Sequence, residues 1–182
     1  MTNDKALMLA VKAGQTEYVS VLFENHHIKL FNYFIRMGNS ASVSEDLVQE
    51  TFIRLLTYRE TYQGENEFLS WLYRIAKNAA IDLYRKNSRN QQNEAFDEAA
   101  HSDESDIGEK HENDHRQLLF EKALAKLEPE QREIIILSRY QQMKYEDIAD
   151  MFGCNLNTLK TRMRAAIRNL KKEFDQLAGA SI

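Results

Sequence analysis

The chain has 182 residues, with 24 Lys or Arg against 28 Asp or Glu, a net charge of −4, one proline and six glycines. Few breakers and abundant Ala, Leu, Glu, Lys, Arg and Gln point to an all-α protein of one or two small domains. The single cysteine, Cys154, excludes an internal disulfide. The longest strongly apolar run, Ile134 to Leu137, is far too short to cross a bilayer, and no apolar signal segment opens the chain. A soluble, cytoplasmic protein without membrane insertion is expected.

In chain order, Asp4 is placed to cap a short first helix ending near Gly14. A second helix is expected from about Thr16 to Met37, with Tyr18, Leu22, Phe23, Leu30, Phe34 and Met37 as its apolar positions, stopping at Gly38. Asn39–Ser44 reads as a loop, with Ser42 and Glu45 at capping-box spacing for a third helix from Glu45 to about Tyr58. Leu47, Val48, Thr51, Phe52 and Leu55 form the inner stripe of that helix. Asp46, Gln49, Glu50 and Ile53 fall on its outer side. Acceptor groups around one apolar residue suit docking against a basic helix, because charges steer and the apolar group anchors. The plain alternative is a solvated acidic face.

A polar loop, Arg59–Glu67, pivots on Gly64 and leads into a helix from Phe68 to about Ser88. Phe68, Leu72, Ile75, Ala76, Ala79 and Leu83 make its buried stripe, with Trp71 and Tyr73 at the borders. Arg74, Lys77, Asn78, Ile81 and Arg85 share the opposite face. Cations alternating with amide and aromatic groups match single-stranded nucleic acid, whose phosphates need charge and whose unpaired bases need stacking or edge contacts. Trp71 is expected to close the core of a small helical domain rather than to stack on a base.

Residues 94–115 hold nine acids (Glu94, Asp97, Glu98, Asp103, Glu104, Asp106, Glu109, Glu112 and Asp114) against one base, Lys110. That stretch is therefore −8 and the remainder of the chain +4. With no helical stripe before Leu118, residues 93–115 read as a flexible acidic linker between folded units at 1–92 and 116–178. It either serves as a soluble spacer or shields a basic face when no partner is present.

Residues 148–170 read as a helix-turn-helix. Tyr145, Ile148, Ala149 and Phe152 belong to its first helix, and Gly153 sits where the turn needs a residue without a Cβ. A second helix runs from about Leu156, with Leu159, Met163, Ala166, Ile167 and Leu170 on one face. Asn157, Thr161, Arg164, Ala165 and Arg168 lie opposite, flanked by Lys160 and Lys171. Residues 156–172 carry six Lys or Arg and no acid, a composition suited to a helix in the DNA major groove.

Catalytic patterns fail on their partners. Glu112 and His115 have a Glu-x-x-His spacing but no second copy. His26 and His27 are adjacent, about 100° apart on a helix, without cysteine or acid at metal spacing. Cys154 reads as a small buried residue beside the turn. No phosphate loop or nucleophile elbow is present. No enzyme activity, metal or cofactor is expected.

These motifs together resemble the bacterial extracytoplasmic-function RNA polymerase sigma factors, sigma-E-like. Ser44-Glu45-Asp46-Leu47-Val48-Gln49-Glu50-Thr51-Phe52 is similar to the family's core-polymerase-binding motif. Phe68-Leu69-Ser70-Trp71-Leu72-Tyr73-Arg74-Ile75-Ala76-Lys77-Asn78, continuing to Asp82 and Arg85, resembles its promoter-melting and minus-ten segment. Ala123-Leu124 through Leu127-Glu128-Pro129-Glu130-Gln131-Arg132-Glu133 resembles the opening of its C-terminal domain. Tyr145-Glu146-Asp147-Ile148-Ala149 and Thr158-Leu159-Lys160-Thr161-Arg162 resemble the helix-turn-helix that closes it.

The resemblance implies a region 2 bundle and a region 4 helix-turn-helix, with core RNA polymerase and promoter DNA as partners. Asp46, Gln49, Glu50 and Ile53 would meet the clamp helices of the largest polymerase subunit. The loop Tyr62, Gly64, Glu65, Asn66 to Glu67 would hold a base flipped from the non-template strand. Trp71, Arg74, Lys77, Asn78 and Arg85 would line the melted minus-ten DNA. Asn157, Thr158, Lys160, Thr161, Arg164 and Arg168 would read the minus-thirty-five duplex, in a domain that also touches the polymerase flap. An anti-sigma factor or other recruiting protein is typical of the family. Two positions depart from its pattern: glycine is usual where Asn157 stands and common where Gln142 lies. Asn at 157 tolerates unusual backbone angles and is able to cap. The residues taken alone leave two other readings open, an autonomous helix-turn-helix regulator and a helical adaptor that binds only protein.

Overall fold

The computed structural model describes residues 3–64, 67–91 and 112–179. Among them every regular element is helical, and the helices build two compact units. The acidic stretch from residue 92 to 111 lies outside the described residues, as do Glu65 and Asn66.

The first unit contains α1 (Asp4–Lys12), α2 (Tyr18–Arg36), α3 (Ala41–Thr57), a single 3-10 turn (Arg59–Thr61) and α4 (Phe68–Gln91). The expected caps shift by one or two residues. Asn3, not Asp4, caps α1, its Oδ1 accepting from Lys5 N at 3.0 Å. Asp4 becomes the first helical residue, where the dipole favours an acid. Its carboxylate reaches α2, with Oδ2 at 3.0 Å from His26 Nε2 and Oδ1 accepting from Asn25 Nδ2 at 3.3 Å. Likewise Ser40, not Ser42, caps α3 through a 3.3 Å bond from Val43 N, so the helix begins inside the stretch expected as loop.

The stripe expected for α3 is the one the fold buries: Leu47, Val48, Thr51, Phe52 and Leu55. Thr51 is satisfied by donating to Leu47 O at 2.6 Å. In α4 the buried set is wider than a single stripe, because Tyr73 is 1 % exposed and packs edge-on against Tyr33 at 5.1 Å. A border position became core because its ring meets Tyr33, a buried residue of α2. On α2, Leu22, Leu30 and Phe34 are buried as expected, whereas Tyr18 is exposed and His26 takes a core position.

The second unit contains α5 (Glu112–Ala125), α6 (Pro129–Arg139), α7 (Tyr145–Met151) and α8 (Leu156–Gly179). α5 starts at Glu112, so the last residues assigned to the linker are helical. Ile134, Ile135, Ile136 and Leu137 are all buried. Four consecutive buried residues mean a helix covered all round, here by α7 and α8 with further apolar residues of α5 in the same core. Pro129 occupies the first turn of α6, where its missing N–H costs nothing. Arg132 closes the end of α5, its guanidinium donating to the carbonyls of Leu124, Ala125 and Leu127. Carbonyls at a helix end run short of backbone donors, and Leu124 O has only the turn bond from Leu127 N at 3.2 Å beside the guanidinium.

At the end of α6 the chain turns through Gln142, which has φ +54°, the left-handed region. Gln141 N bonds Ile136 O at 3.2 Å and Met143 N bonds Leu137 O at 3.1 Å, wrapping the helix end. The family pattern expected glycine at this position, and the backbone adopts the angle that suits one.

Candidate polymerase and DNA interfaces

Three surfaces carry the chemistry. The first is the outer side of α3. Asp46 and Gln49 are exposed there, and Ile53 is 59 % exposed, a large apolar group with no use in the fold. Glu50 is less available than its neighbours, because Arg54 Nε donates to its Oε1 at 2.6 Å. The same guanidinium donates to Asp82 Oδ2 on α4 at 2.7 Å. These bonds, Glu50's first, raise the Arg54 pKa, so the bridge between α3 and α4 stays charged. Beside this face an apolar groove of about 350 Å³ opens between α2 and α3, lined by Phe23, Ile28, Phe31 and Val48 and rimmed by Glu45 and Gln49. The sequence reading missed the groove. Its signal was Ile28, which lies off the α2 stripe and is 61 % exposed.

The second surface is α4 and the loop before it. Asn78 and Arg85 are exposed, while Arg74 and Lys77 are half-buried at the stem. Ile81 and Tyr84 share the face, at four and seven residues from Lys77. Tyr84, an exposed aromatic among cations, was not singled out by the sequence reading, although that spacing was available to find it.

In the loop, Tyr62 corrects its expected role. Its ring is 2 % exposed and packs against Trp71 at 5.1 Å and Phe68 at 6.3 Å, so it anchors the loop and is not offered to a base. Burial pushes its phenol pKa up. Trp71 is half-buried in that cluster, as its size suggested. Gly64 adopts φ +72°, with Leu9 and the Lys5 stem where a Cβ would point. The placements expected for Glu65 and Asn66 lie outside the described residues.

The third surface is α8 in its helix-turn-helix. Gly153 holds φ +61° between α7 and α8, and Cys154 N bonds back to Ala149 O at 3.0 Å, closing the turn. Cys154 is half-buried. Asn155 caps α8, its Oδ1 accepting from Thr158 N at 2.8 Å. Asn157 therefore neither caps nor turns; it is an exposed residue of the first helical turn, its carbonyl accepting from Thr161 Oγ1. Leu159, Met163, Ala166 and Leu170 are buried. Ile167 departs from the expected stripe at 53 % exposure, because Ala166 takes the inward position and the helix turns its neighbour out.

Lys160, Arg164 and Arg168 are exposed and make no ion pair among the described residues. Arg162 behaves differently, donating to Glu130 Oε1 of α6 at 2.6 Å, and Asn169 donates to Gln131 of α6 at 2.9 Å. α6 thus fixes the rotation of α8 about its axis and leaves one row of cations outward. An open depression at the start of α8 is lined by Asn155, Asn157, Thr158, Thr161 and Arg162.

No cluster of His, Cys, Asp or Glu suited to a metal occurs among the described residues. His26, half of the adjacent histidine pair, instead bonds Asp4. Among those residues no helix is long and apolar enough to cross a membrane.

Residues 22–90 match the family model Sigma-70 region 2, and residues 117–170 match Sigma-70, region 4. The ECF RNA polymerase sigma factor EcfG of Rhodopseudomonas palustris is 32 % identical over 134 residues, covering 74 % of this chain and 72 % of that protein. The chain belongs to the ECF RNA polymerase sigma factors. RNA polymerase sigma factor YlaC of Bacillus subtilis is 27 % identical over 155 residues, 84 % of this chain and 90 % of its own. Among solved structures, the sigma factor RpoE of Bartonella quintana, crystallised with the anti-sigma factor NepR, superposes with a TM-score of 0.67 at 26 % identity, covering 86 % of this chain and 96 % of RpoE. As an ECF sigma factor the chain is a promoter-recognition subunit of RNA polymerase, its first unit being region 2 and its second region 4.

Proposed function

We propose that the three surfaces divide the work of initiation among named residues. Asp46, Gln49 and Ile53, with Glu50 through its pairing to Arg54, dock on the clamp helices of the largest polymerase subunit. Arg74, Lys77, Asn78 and Arg85 track the phosphates and edges of the melted minus-ten strand, and Tyr84 adds a stacking surface. The loop that starts at Tyr62 and passes Gly64, Glu65 and Asn66 receives one unstacked base. The cost of flipping it is recovered by contacts made only to the extruded form. Asn157, Thr158, Lys160, Thr161, Arg164 and Arg168 lie along the minus-thirty-five major groove, where phosphate contacts position the helix and base-edge contacts discriminate. Region 4 also meets the polymerase flap, and the linker, residues 93–111 once the helical residues of α5 are set apart, threads toward the RNA exit path.

The chain carries no catalysis of its own and works in the cytoplasm. A sequestering anti-sigma factor is the regulator this fold would meet, as RpoE meets NepR. The observation that carries the reading is the outward row Lys160, Arg164 and Arg168, held by a helix whose other faces are committed to the core and to α6. An autonomous regulator or a protein-only adaptor has no need of a separate docking face, a melting helix and a duplex-reading helix in this order.

The test is transcription in vitro with purified core polymerase on a pool of genomic fragments, mapping where transcripts begin. Discrete starts with a common upstream pattern are expected. The double change Asp46→Lys and Ile53→Ser, which leaves the Arg54 bridge in place, should abolish core association. Unchanged association would overturn the docking assignment.

A further inference from the structure

The helix α1 precedes the residues that match region 2, which begin at 22. Its contacts nonetheless converge on the loop given the base-capturing role. Lys12 Nζ, in the last turn of α1, donates to Tyr62 O at 2.6 Å in a part-buried setting. The Leu9 side chain and the Lys5 stem lie 3.4 and 3.5 Å from where a Gly64 Cβ would stand. At its other end α1 is moored to α2, where Asp4 bonds both His26 and Asn25. Leu7, Met8 and Val11 bury its remaining face.

The loop is gripped from two directions at its start. The Tyr62 ring is fixed by Phe68 and Trp71 of α4, and its carbonyl by the Lys12 ammonium. Gly64, in its left-handed conformation, lies against α1 directly. A charge-assisted bond to a carbonyl is among the stronger local restraints available to a loop. A loop that must hold an extruded base gains from being rigid beforehand, since ordering it during binding would be charged against affinity and selectivity.

We infer that α1 is the positioning element of the base-capturing loop, and that Lys12, through the Tyr62 carbonyl, sets how strictly that loop discriminates the flipped minus-ten base. Lys12 touches no DNA in this role; it acts through residues 62–64. The inference rests on the loop's proposed function in base capture.

The experiment uses holoenzyme reconstituted from core polymerase and the full chain. It measures affinity for fluorescent single-stranded oligonucleotides that carry the minus-ten sequence or each single-base substitution of it. Lys12→Met keeps the stem and removes the cation, and should cut the ratio between the preferred and substituted bases about tenfold. Core association and the affinity for duplex minus-thirty-five DNA should stay as in the parent. Lys12→Arg should recover most of the ratio. Leu9→Ser, at a position 41 % exposed, should weaken discrimination in the same direction without relying on Lys12 and secures the test should Lys12→Met fold poorly. The double change Glu65→Ala and Asn66→Ala probes the loop itself. If it lowers discrimination while Lys12→Met and Leu9→Ser leave the ratio intact, α1 has no positioning role. If it too leaves the ratio intact, the loop does not read a base, and both the loop assignment and the inference fall.

Discussion

Replacing Gln142 by glycine should stabilise region 4. Gln142 is exposed and holds φ +54° after α6. A side chain in the left-handed region costs roughly 1–2 kcal/mol, because Cβ crowds the following carbonyl. Glycine removes that cost but loses roughly 0.5–1 kcal/mol of extra chain entropy on folding. The difference favours Gln142→Gly by about 0.5–1 kcal/mol, since the exposed side chain takes little packing with it. For a unit of this size that is a rise in melting temperature of roughly 2–8 °C. Differential scanning calorimetry of the full chain reads the shift. Hydrogen exchange of the amides of Ile134 to Leu137 assigns it to the second unit. Gln142→Ala is the control: it keeps the Cβ and should change little. If Gln142→Gly lowers the melting temperature, or gains no more than Gln142→Ala, the left-handed cost is not what this turn carries.

Leu159 is fully buried on α8, so Leu159→Ala should cost about 2–5 kcal/mol, lowering region 4 melting by roughly 10 °C or more. Ile167→Ala, on the exposed side, should stay within about 0.5 kcal/mol in the same scan. Arg164→Ala with Arg168→Ala should weaken holoenzyme binding to minus-thirty-five duplex across sequences. It should also make the slope of log affinity against log salt shallower by about two, as two phosphate contacts go. The His26 pKa is lowered from 6.5, chiefly by burial, against the opposing pull of Asp4. Its contribution is therefore complete above pH 6.5 and is lost as pH falls below, because the unfolded state binds the proton more readily. Urea unfolding of the N-terminal unit, followed by Trp71 fluorescence from pH 7.5 to 5, should show this decline, and His26→Gln should flatten part of it.

Helical periodicity made the architecture legible. The α3 stripe and four of the five expected inner residues of α8 are where 100° per residue places them. Helix starts were less legible. Asn3 and Asp4, Ser40 and Ser42, and Asn155 and Asn157 are each a pair of good capping residues, and only the backbone angles decide which one caps. Tyr62 and Tyr73 eluded the reading because their burial depends on neighbouring helices. Tyr73 packs on Tyr33 and Tyr62 on Trp71, contacts between residues far apart or across a loop. The Arg54 bridge and the Lys12 clamp, spanning 28 and 50 residues of chain, had no local pattern to betray them. Gln142 is the instructive intermediate. Glutamine gives no hint of a left-handed turn, and only the resemblance, by expecting glycine there, pointed to it.

The outward cations of α8 coexist with an overall charge of −4. An anion-exchange resin near neutral pH would retain this protein as an acid, whereas a polyphosphate brought up to the exposed edge of α8 encounters a base. Isoelectric behaviour is thus a poor guide to how such a molecule is purified away from nucleic acid. High salt belongs in the lysis buffer from the first step.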